Sequence, residues 1–136
     1  MEYFKPEGNN SVSPYLIVDD AQRMIDMLIG IFAGVPLRRF NREDGSIMHA
    51  EIKIDDSVIM MSGSNSEYPQ NNTILDVYVA DVDEVYERGI AYGCRGMTKP
   101  TVSGDPDKRV PGLCGQPLVG QHTTELVNMD HSFFVC

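Results

Sequence analysis

The stretch VSPYLIVDD at residues 12–20 and the segment 21–34 that follows it decide the fold of this 136-residue chain. A short apolar run ends in two carboxylates, which predicts a strand followed by a helix N-cap. Apolar residues then recur at the i, i+3, i+4 and i+7 spacing of an amphipathic helix. Gly34 fits the end of that helix, because glycine readily adopts the left-handed backbone conformation that closes many helices.

A weaker copy of this pattern, ILDVYVAD, occupies residues 74–81 and precedes a second helical segment at 82–93. Asp81 occupies the place in this copy that Asp20 has in the first, so we expect Asp81 to cap the second helix and either Asp19 or Asp20 to cap the first. Self-similarity at a fixed offset indicates a repeated structural unit. The sequence therefore predicts two similar modules in a small protein.

Alternating apolar and polar residues after the first helix predict strands at 35–40, 46–54 and 57–61. In the second of these strands, one face is expected to carry Ile47, His49, Glu51 and Lys53, and the other to carry Met48, Ala50, Ile52 and Ile54. Each module should therefore run strand, helix, then three strands.

We predict a single α+β domain, residues 1–136, made of module one (12–62), a polar linker (63–72) and module two (73–136). Its paired βαβββ modules should form a curved, mostly antiparallel sheet with two outer helices.

Composition narrows the classes of partner. The formal net charge is −9, which argues against nucleic acid and anionic membranes, since both attract clustered Lys and Arg. The first residues lack the basic and apolar segments of a secretory signal, and the three cysteines form no Cys-x-x-Cys pair. We expect free thiols in a reducing compartment and a cytoplasmic location.

Three segments carry a resemblance to a known family: PYLIVDD at 14–20, IMHAEIKI with DSVIMMS over 47–62, and VYVADVD at 77–83. In this order they resemble the vicinal oxygen chelate superfamily, which includes glyoxalase I, bleomycin-resistance proteins and extradiol dioxygenases. The likeness covers roughly residues 12–109 and is strongest to the bacterial glyoxalase-like branch.

Residues 110–136 depart from that family's pattern. Related proteins end with Asp-x-x-Gly-Asn-x-Trp or a similar strand, whereas this chain contains no Trp. Codons compatible with residues 110–124, read one base later, permit a family-like ending, so we hypothesise that the chain is frameshifted from about residue 109. The alternative is an accidental match. Sequencing the coding DNA tests this, and an intact gene whose relatives share CGQP at 114–117 would contradict it.

In this anomalous tail, strand character is confined to residues 118–119 and 123–127. Prolines at 111 and 117 cannot donate ladder hydrogen bonds, so irregular structure is expected around them. The apolar residues 133–135 are expected to dock on an apolar surface.

The resemblance implies a metal site with one ligand, His, Glu or Gln, from each of four strands. Glu51 lies at the second ligand place and His49 shares its face, but the first strand offers only Ser13 and Pro14, and the fifth strand offers Asp76 where relatives often have His. We therefore expect no metal and no other cofactor. If a divalent metal did bind, Glu51 and His49 would be its ligands. The residues expected to line the ligand pocket are His49, Glu51, Asp76, Met60 and Met97.

Three functions remain open at this point. The first is binding of a small molecule in the cupped sheet, with no assigned reaction. The second is a metal-dependent lyase, isomerase or dioxygenase, and the third is a resistance protein that sequesters a cationic drug. A homodimer is the expected state, because the curved sheets of this family leave edges and apolar flanks to cover.

Overall fold

The computed structural model describes residues 4–71, 73, 75–96, 125–129 and 132–135. The chain divides into two compact units, Met1–Asn71 and Asn72–Cys136. The organisation as one domain with a linker at 63–72 stays a prediction. Within the described ranges, no helix has the length and apolar character needed to cross a membrane.

The first unit contains one helix and one four-stranded mixed sheet. Its elements are β1 (Tyr15–Val18), α1 (Ala21–Phe32), β2 (Val35–Asn41), β3 (Ile47–Ile54) and β4 (Ser57–Gly63). The strand order is β1-β4-β3-β2, with β1 parallel to β4 and the other neighbours antiparallel.

The second unit repeats the order of elements. It contains β5 (Leu75–Tyr78), α2 (Val82–Ala91), β6 (Arg95–Gly96), β7 (Glu125–Met129) and β8 (Ser132–Val135), with strand order β5-β8-β7-β6. Here β6 and β7 are parallel, whereas β8 is antiparallel to both of its neighbours. The predicted α+β class, with strand, helix and three strands in each unit and a mostly antiparallel pairing, is confirmed.

The tail contributes two strands. The expected strand character at 123–127 overlaps β7, but residues 133–135 pair as part of β8 rather than only docking on an apolar surface. The other expected strand piece, at 118–119, lies outside the described residues.

Both helices begin at the predicted aspartates. The Asp20 carboxylate accepts a hydrogen bond from the Arg23 N–H at 3.0 Å, and the Asp81 carboxylate accepts one from the Glu84 N–H at 3.0 Å. Each bond satisfies one of the N–H groups that a helix start leaves without an internal partner.

The core of the first unit lies between α1 and the sheet, and α1 packs chiefly on β3. Four of the five residues on the predicted apolar face are buried, and Met24 is half-buried. The helix also buries two residues outside that pattern, so its buried set is Ala21, Ile25, Met27, Leu28, Ile31 and Phe32. The strand opposite contributes Ala50, Ile52 and Ile54 at alternate positions.

The end of α1 differs from the prediction in one residue. The left-handed residue is Ala33, with φ +54°, while Gly34 donates its N–H to the Leu28 carbonyl at 3.1 Å. A Cβ built on Gly34 would lie 2.6 Å from Ile52 Cγ2 and 2.9 Å from the Leu28 oxygen. Gly34 is therefore required by the close approach of the helix end to β3.

A bulge in β3 changes one part of the predicted alternation. The pairing with β2 steps from Phe40 opposite His49 to Asn41 opposite Ile47, so Met48 is an extra residue. As a result Ile47 is buried and Met48 is 49% exposed, the reverse of the expected facing. Strict alternation fails here because the extra residue Met48 shifts Ile47 by one place relative to the rest of β3.

Replacing Gly34 by Ala should lower the free energy of unfolding by about 1–3 kcal/mol, because the methyl group overpacks the contact with Ile52 and Leu28. The neighbouring change Ala33→Gly should instead stabilise the protein by about 0.5–1 kcal/mol, since glycine adopts the left-handed conformation without a Cβ penalty. Urea denaturation of both variants measures this. A Gly34→Ala protein as stable as the parent would contradict the close approach.

Candidate functional site

The sheet of the first unit has one face turned away from α1, and the candidate site lies there. Met60 of β4 is paired with both Glu51 of β3 and Tyr15 of β1. Directly paired residues of neighbouring strands share a face, so these three residues lie on the face opposite that of Ala50 and Ile52. We call this surface the open face.

Glu51 is the buried charge of the open face, with only 1% of its side chain exposed. Arg38 of β2 donates hydrogen bonds to both carboxylate oxygens: Nη2 donates to Oε1 at 2.7 Å and Nε donates to Oε2 at 3.2 Å. His49 Nε2 lies 3.0 Å from Oε1. This two-point guanidinium–carboxylate geometry is the strongest form of ion pair in proteins.

The environment of Glu51 keeps it ionised. The hydrogen bond from Arg38 lowers the pKa of the Glu51 carboxyl, burial acts in the opposite direction, and the hydrogen bond with His49 lowers the pKa further. The same pairing with Glu51 raises the pKa of Arg38. Both groups are therefore charged at neutral pH.

His49 links this ion pair to an aromatic side chain. Its Nδ1 lies 3.2 Å from the Tyr15 hydroxyl, and the two ring centroids are 5.7 Å apart. Because an ionised Glu51 can only accept, His49 carries a proton on Nε2, and we assign the tautomer with Nδ1 unprotonated. Nδ1 then accepts the hydrogen bond that the Tyr15 hydroxyl donates.

A depression of about 400 Å³ lies beside the linked side chains of Arg38, Glu51, His49 and Tyr15. It is lined by Tyr15, Ile17, Arg42, Met48, Ser62, Asn65 and Tyr68. Arg42 donates hydrogen bonds to Ser46 Oγ and to the carbonyl oxygens of Ile47 and Gly63, all of which are neutral groups. Arg42 is therefore the charged side chain of this lining, and its charge is positive.

The loop after β4 supplies one wall of the depression and is tied to β1. Asn65 Oδ1 accepts the Tyr68 N–H at 2.7 Å, which fixes the turn that carries the Tyr68 ring. Asn71 Oδ1 accepts the Ile17 N–H at 2.9 Å, and Gln70 Oε1 accepts the Asp19 N–H at 3.1 Å. Side-chain amides therefore take the place of a neighbouring strand along β1.

The structure brings three of the predicted pocket residues together. His49, Glu51 and half-buried Met60 share the open face. Asp76 belongs to β5 in the second unit, where its backbone pairs with Phe134, and Met97 lies outside the described residues. None of His49, Glu51 and Met60 is part of the lining of the depression, so a role in a ligand pocket stays a prediction for all five residues.

Sequence reasoning missed Arg38 and Tyr15. A signal for the arginine was present, because two successive arginines in a strand, Arg38 and Arg39, must point to opposite faces. One of them had to meet the sheet face that carries the carboxylate of Glu51, and a buried carboxylate requires a cation. For Tyr15 the local sequence carried no comparable signal.

The residues at the implied metal site do not fit a metal. Both oxygens of Glu51 are taken by a guanidinium, whose charge repels a second cation. The first-strand place holds Ser13, a neutral hydroxyl, and its Oγ is buried with no hydrogen-bond partner in the described part of the chain. Among those residues, no three His, Cys, Asp or Glu side chains are grouped as metal ligands would be.

Comparison with known proteins gives relatives without an assigned activity. No protein-family model matches the sequence. Uncharacterized proteins Mb0911c of Mycobacterium bovis and Rv0887c of Mycobacterium tuberculosis are each 31% identical over 99 residues, which is 65% of this chain. The match spans 65% and 58% of those relatives, less than two thirds of either.

Comparison with solved structures shows the fold. The fosfomycin resistance protein FosX of Listeria monocytogenes superposes with a TM-score of 0.52 at 22% identity, covering 68% of this chain and 76% of that one. TioX of Micromonospora sp. ML1 gives a TM-score of 0.50 at 22% identity, covering 70% and 79%. The chain therefore shares the βαβββ fold of these two proteins, which is the fold that the sequence resemblance implied.

Replacing Arg38 by Met should lower the free energy of unfolding at pH 7, because the nearly fully buried Glu51 carboxylate loses its cation. The loss should be smaller than for a fully buried pair, because the Arg38 side chain is 48% exposed. Arg39→Met on the same strand is the control. Its guanidinium bonds Asn41 and Gln22 at an exposed site, so a change within about 0.5 kcal/mol is expected.

The pH dependence of this effect has a defined sign. The folded-state pKa of Glu51 is lowered, so its contribution is present above the unfolded pKa and is lost as the pH falls through the folded pKa. The difference between the parent and Arg38→Met should therefore shrink as the pH falls below ~4. Urea denaturation from pH 7 to pH 3 measures this, and a difference that grows in acid would contradict the ion pair.

No divalent metal is expected to bind tightly at Glu51, because Arg38 would have to leave first. The check is elemental analysis for nickel, zinc, iron and manganese after each is added and dialysed away. Retention of one metal per chain that Glu51→Ala abolishes would show this expectation to be wrong.

Proposed function

We propose that the depression on the open face binds a small neutral or anionic molecule with an aromatic or apolar body. The observation that carries the proposal is the combination of large, accessible apolar side chains with a few polar groups in one concave surface. Ligand sites are typically built in this way.

Two tyrosine rings and one methionine side chain supply most of the accessible apolar surface of the site. Tyr15, Met48 and Tyr68 are 41%, 49% and 55% exposed, respectively, although each has a large apolar surface. Aromatic rings and the flexible methionine side chain pack well against planar ligands. Ser62 and Asn65 add hydrogen-bonding groups that can orient the ligand.

The charge of the site argues against the cationic-drug alternative. Although the whole chain carries a net charge of −9, the charged side chain that lines the depression is the cation Arg42, which also attracts the exposed Asp44 carboxylate, and the nearby Glu51 is neutralised by Arg38. A ligand cation would be repelled at this position, whereas an anion would be attracted.

The comparisons support small-molecule binding only through the fold. The name of the Listeria protein refers to fosfomycin resistance by that protein. Because one fold can host many different functions, this likeness assigns no particular ligand to the present chain. The metal-dependent enzyme is disfavoured, because the residues at the implied metal site do not fit a metal. The homodimer stays a prediction that light scattering can test.

The ligand class can be tested by NMR of methionine methyl groups labelled with ¹³C. Benzyl alcohol, benzoate and benzylamine are matched probes that differ in charge. We expect a saturable shift of the Met48 methyl with the first two, and at least about fivefold weaker binding of benzylammonium, from ~1 kcal/mol of charge repulsion. The methyl of Met61, which is fully buried, should not move.

Paired variants locate the site. Tyr68→Ala should weaken benzyl alcohol binding about fivefold, because it removes an aromatic contact worth ~1 kcal/mol. Tyr92→Ala, at an exposed position in the second unit, should leave it unchanged. Preferential binding of benzylammonium would favour the cationic-drug alternative, and the absence of any saturable shift would contradict the proposal.

A further inference from the structure

A continuous line of hydrogen-bonding groups runs from the buried ion pair to the depression. Arg38 holds Glu51, Glu51 bonds His49 at 3.0 Å, and His49 lies 3.2 Å from the Tyr15 hydroxyl. Tyr15 is also part of the lining of the depression. The array therefore ends at the surface where a ligand would sit.

With a neutral imidazole, the direction of each hydrogen bond in this line follows from Glu51. Glu51 is acceptor-only, so the neutral His49 donates through Nε2 and accepts from the Tyr15 hydroxyl through Nδ1. The Tyr15 oxygen has then used its proton but keeps a lone pair, which can accept a hydrogen bond from a ligand. A carboxylate, an imidazole and a hydroxyl in this order form an arrangement that can move a proton.

We infer that Tyr15 and His49 form a metal-independent proton relay that takes a proton from a weak oxygen acid, such as a phenol or an enol, bound in the depression. This inference rests on the proposed function and names the chemical class of its ligand. It follows from the geometry of four side chains drawn from β1, β2 and β3.

The transfer balances without a co-reactant. The O–H bond of the ligand breaks as its proton passes to the Tyr15 oxygen, while the original Tyr15 proton passes to His49 Nδ1. The products are a ligand anion, an intact Tyr15 hydroxyl and an imidazolium. No electrons leave the system, and the total charge is unchanged.

Charged groups already in place stabilise both products. The imidazolium that forms on His49 faces the Glu51 carboxylate, which Arg38 holds in its ionised state. The ligand anion lies in the depression lined by Arg42, whose hydrogen bonds go to neutral oxygens and whose carboxylate neighbour Asp44 is itself bonded to Ser46. The Phe40 ring also lies near the imidazole, with its centroid 6.3 Å from that of His49.

The test uses 4-nitrophenol, whose phenol and phenolate forms absorb at different wavelengths. Binding is followed at the Met48 methyl and the protonation state by absorbance. At a pH where the free probe is mostly phenol, we expect an about tenfold higher ratio of phenolate to phenol in the complex than in solution. Tyr15→Phe and His49→Gln should each remove most of this increase, although the probe still binds.

Tyr92→Phe, which makes the same chemical change at an exposed site of the second unit, should keep the tenfold increase. An unperturbed Met61 methyl reports that each variant has a folded core. An increase that survives both Tyr15→Phe and His49→Gln would assign it to Arg42 alone and overturn the relay. Binding with an unchanged ratio would overturn the relay but leave the proposed function intact, whereas no shift of Met48 would overturn both.

Discussion

The two-point ion pair between Arg38 and Glu51 is the interaction on which the open face depends. A carboxylate that is almost fully buried would be very costly without a cation, and Arg38 supplies it from the neighbouring edge strand β2. Because both carboxylate oxygens are held, Oε1 presents a fixed acceptor to His49, and His49 in turn presents a fixed acceptor to Tyr15. One salt bridge thus orders side chains from three strands.

This pair also explains how an acidic protein presents a depression that is not acidic. The net charge of −9 predicts a preference for cations if charge is averaged over the whole chain. Local pairing overrides that average: Glu51 is neutralised by Arg38, while Arg42 is fixed by hydroxyl and carbonyl oxygens. Overall composition therefore describes the surface as a whole and not the site.

The edge of the sheet at β1 is hydrogen-bonded to a loop instead of to a further strand. Gln70 and Asn71 direct their amide oxygens to backbone N–H groups of β1, and the Asn71 backbone N–H bonds the Ile17 carbonyl at 3.0 Å. An unpaired edge would invite association with another chain. Because the same loop carries Tyr68, the protection of the edge and the wall of the depression are one structural feature.

The sequence by itself determined the elements and their order. Helix caps at Asp20 and Asp81, the apolar face of α1 and most of the alternation in β3 follow from local spacing, which the backbone geometry converts directly into structure. Only the tertiary structure decided which of the two successive arginines meets Glu51 and which aromatic side chain meets His49. Tyr15 reaches His49 across β4, and Arg38 meets Glu51 beside an irregular stretch of pairing between β2 and β3. Such contacts depend on cross-strand register and bulges, which long-range pairing fixes and local residue patterns do not encode.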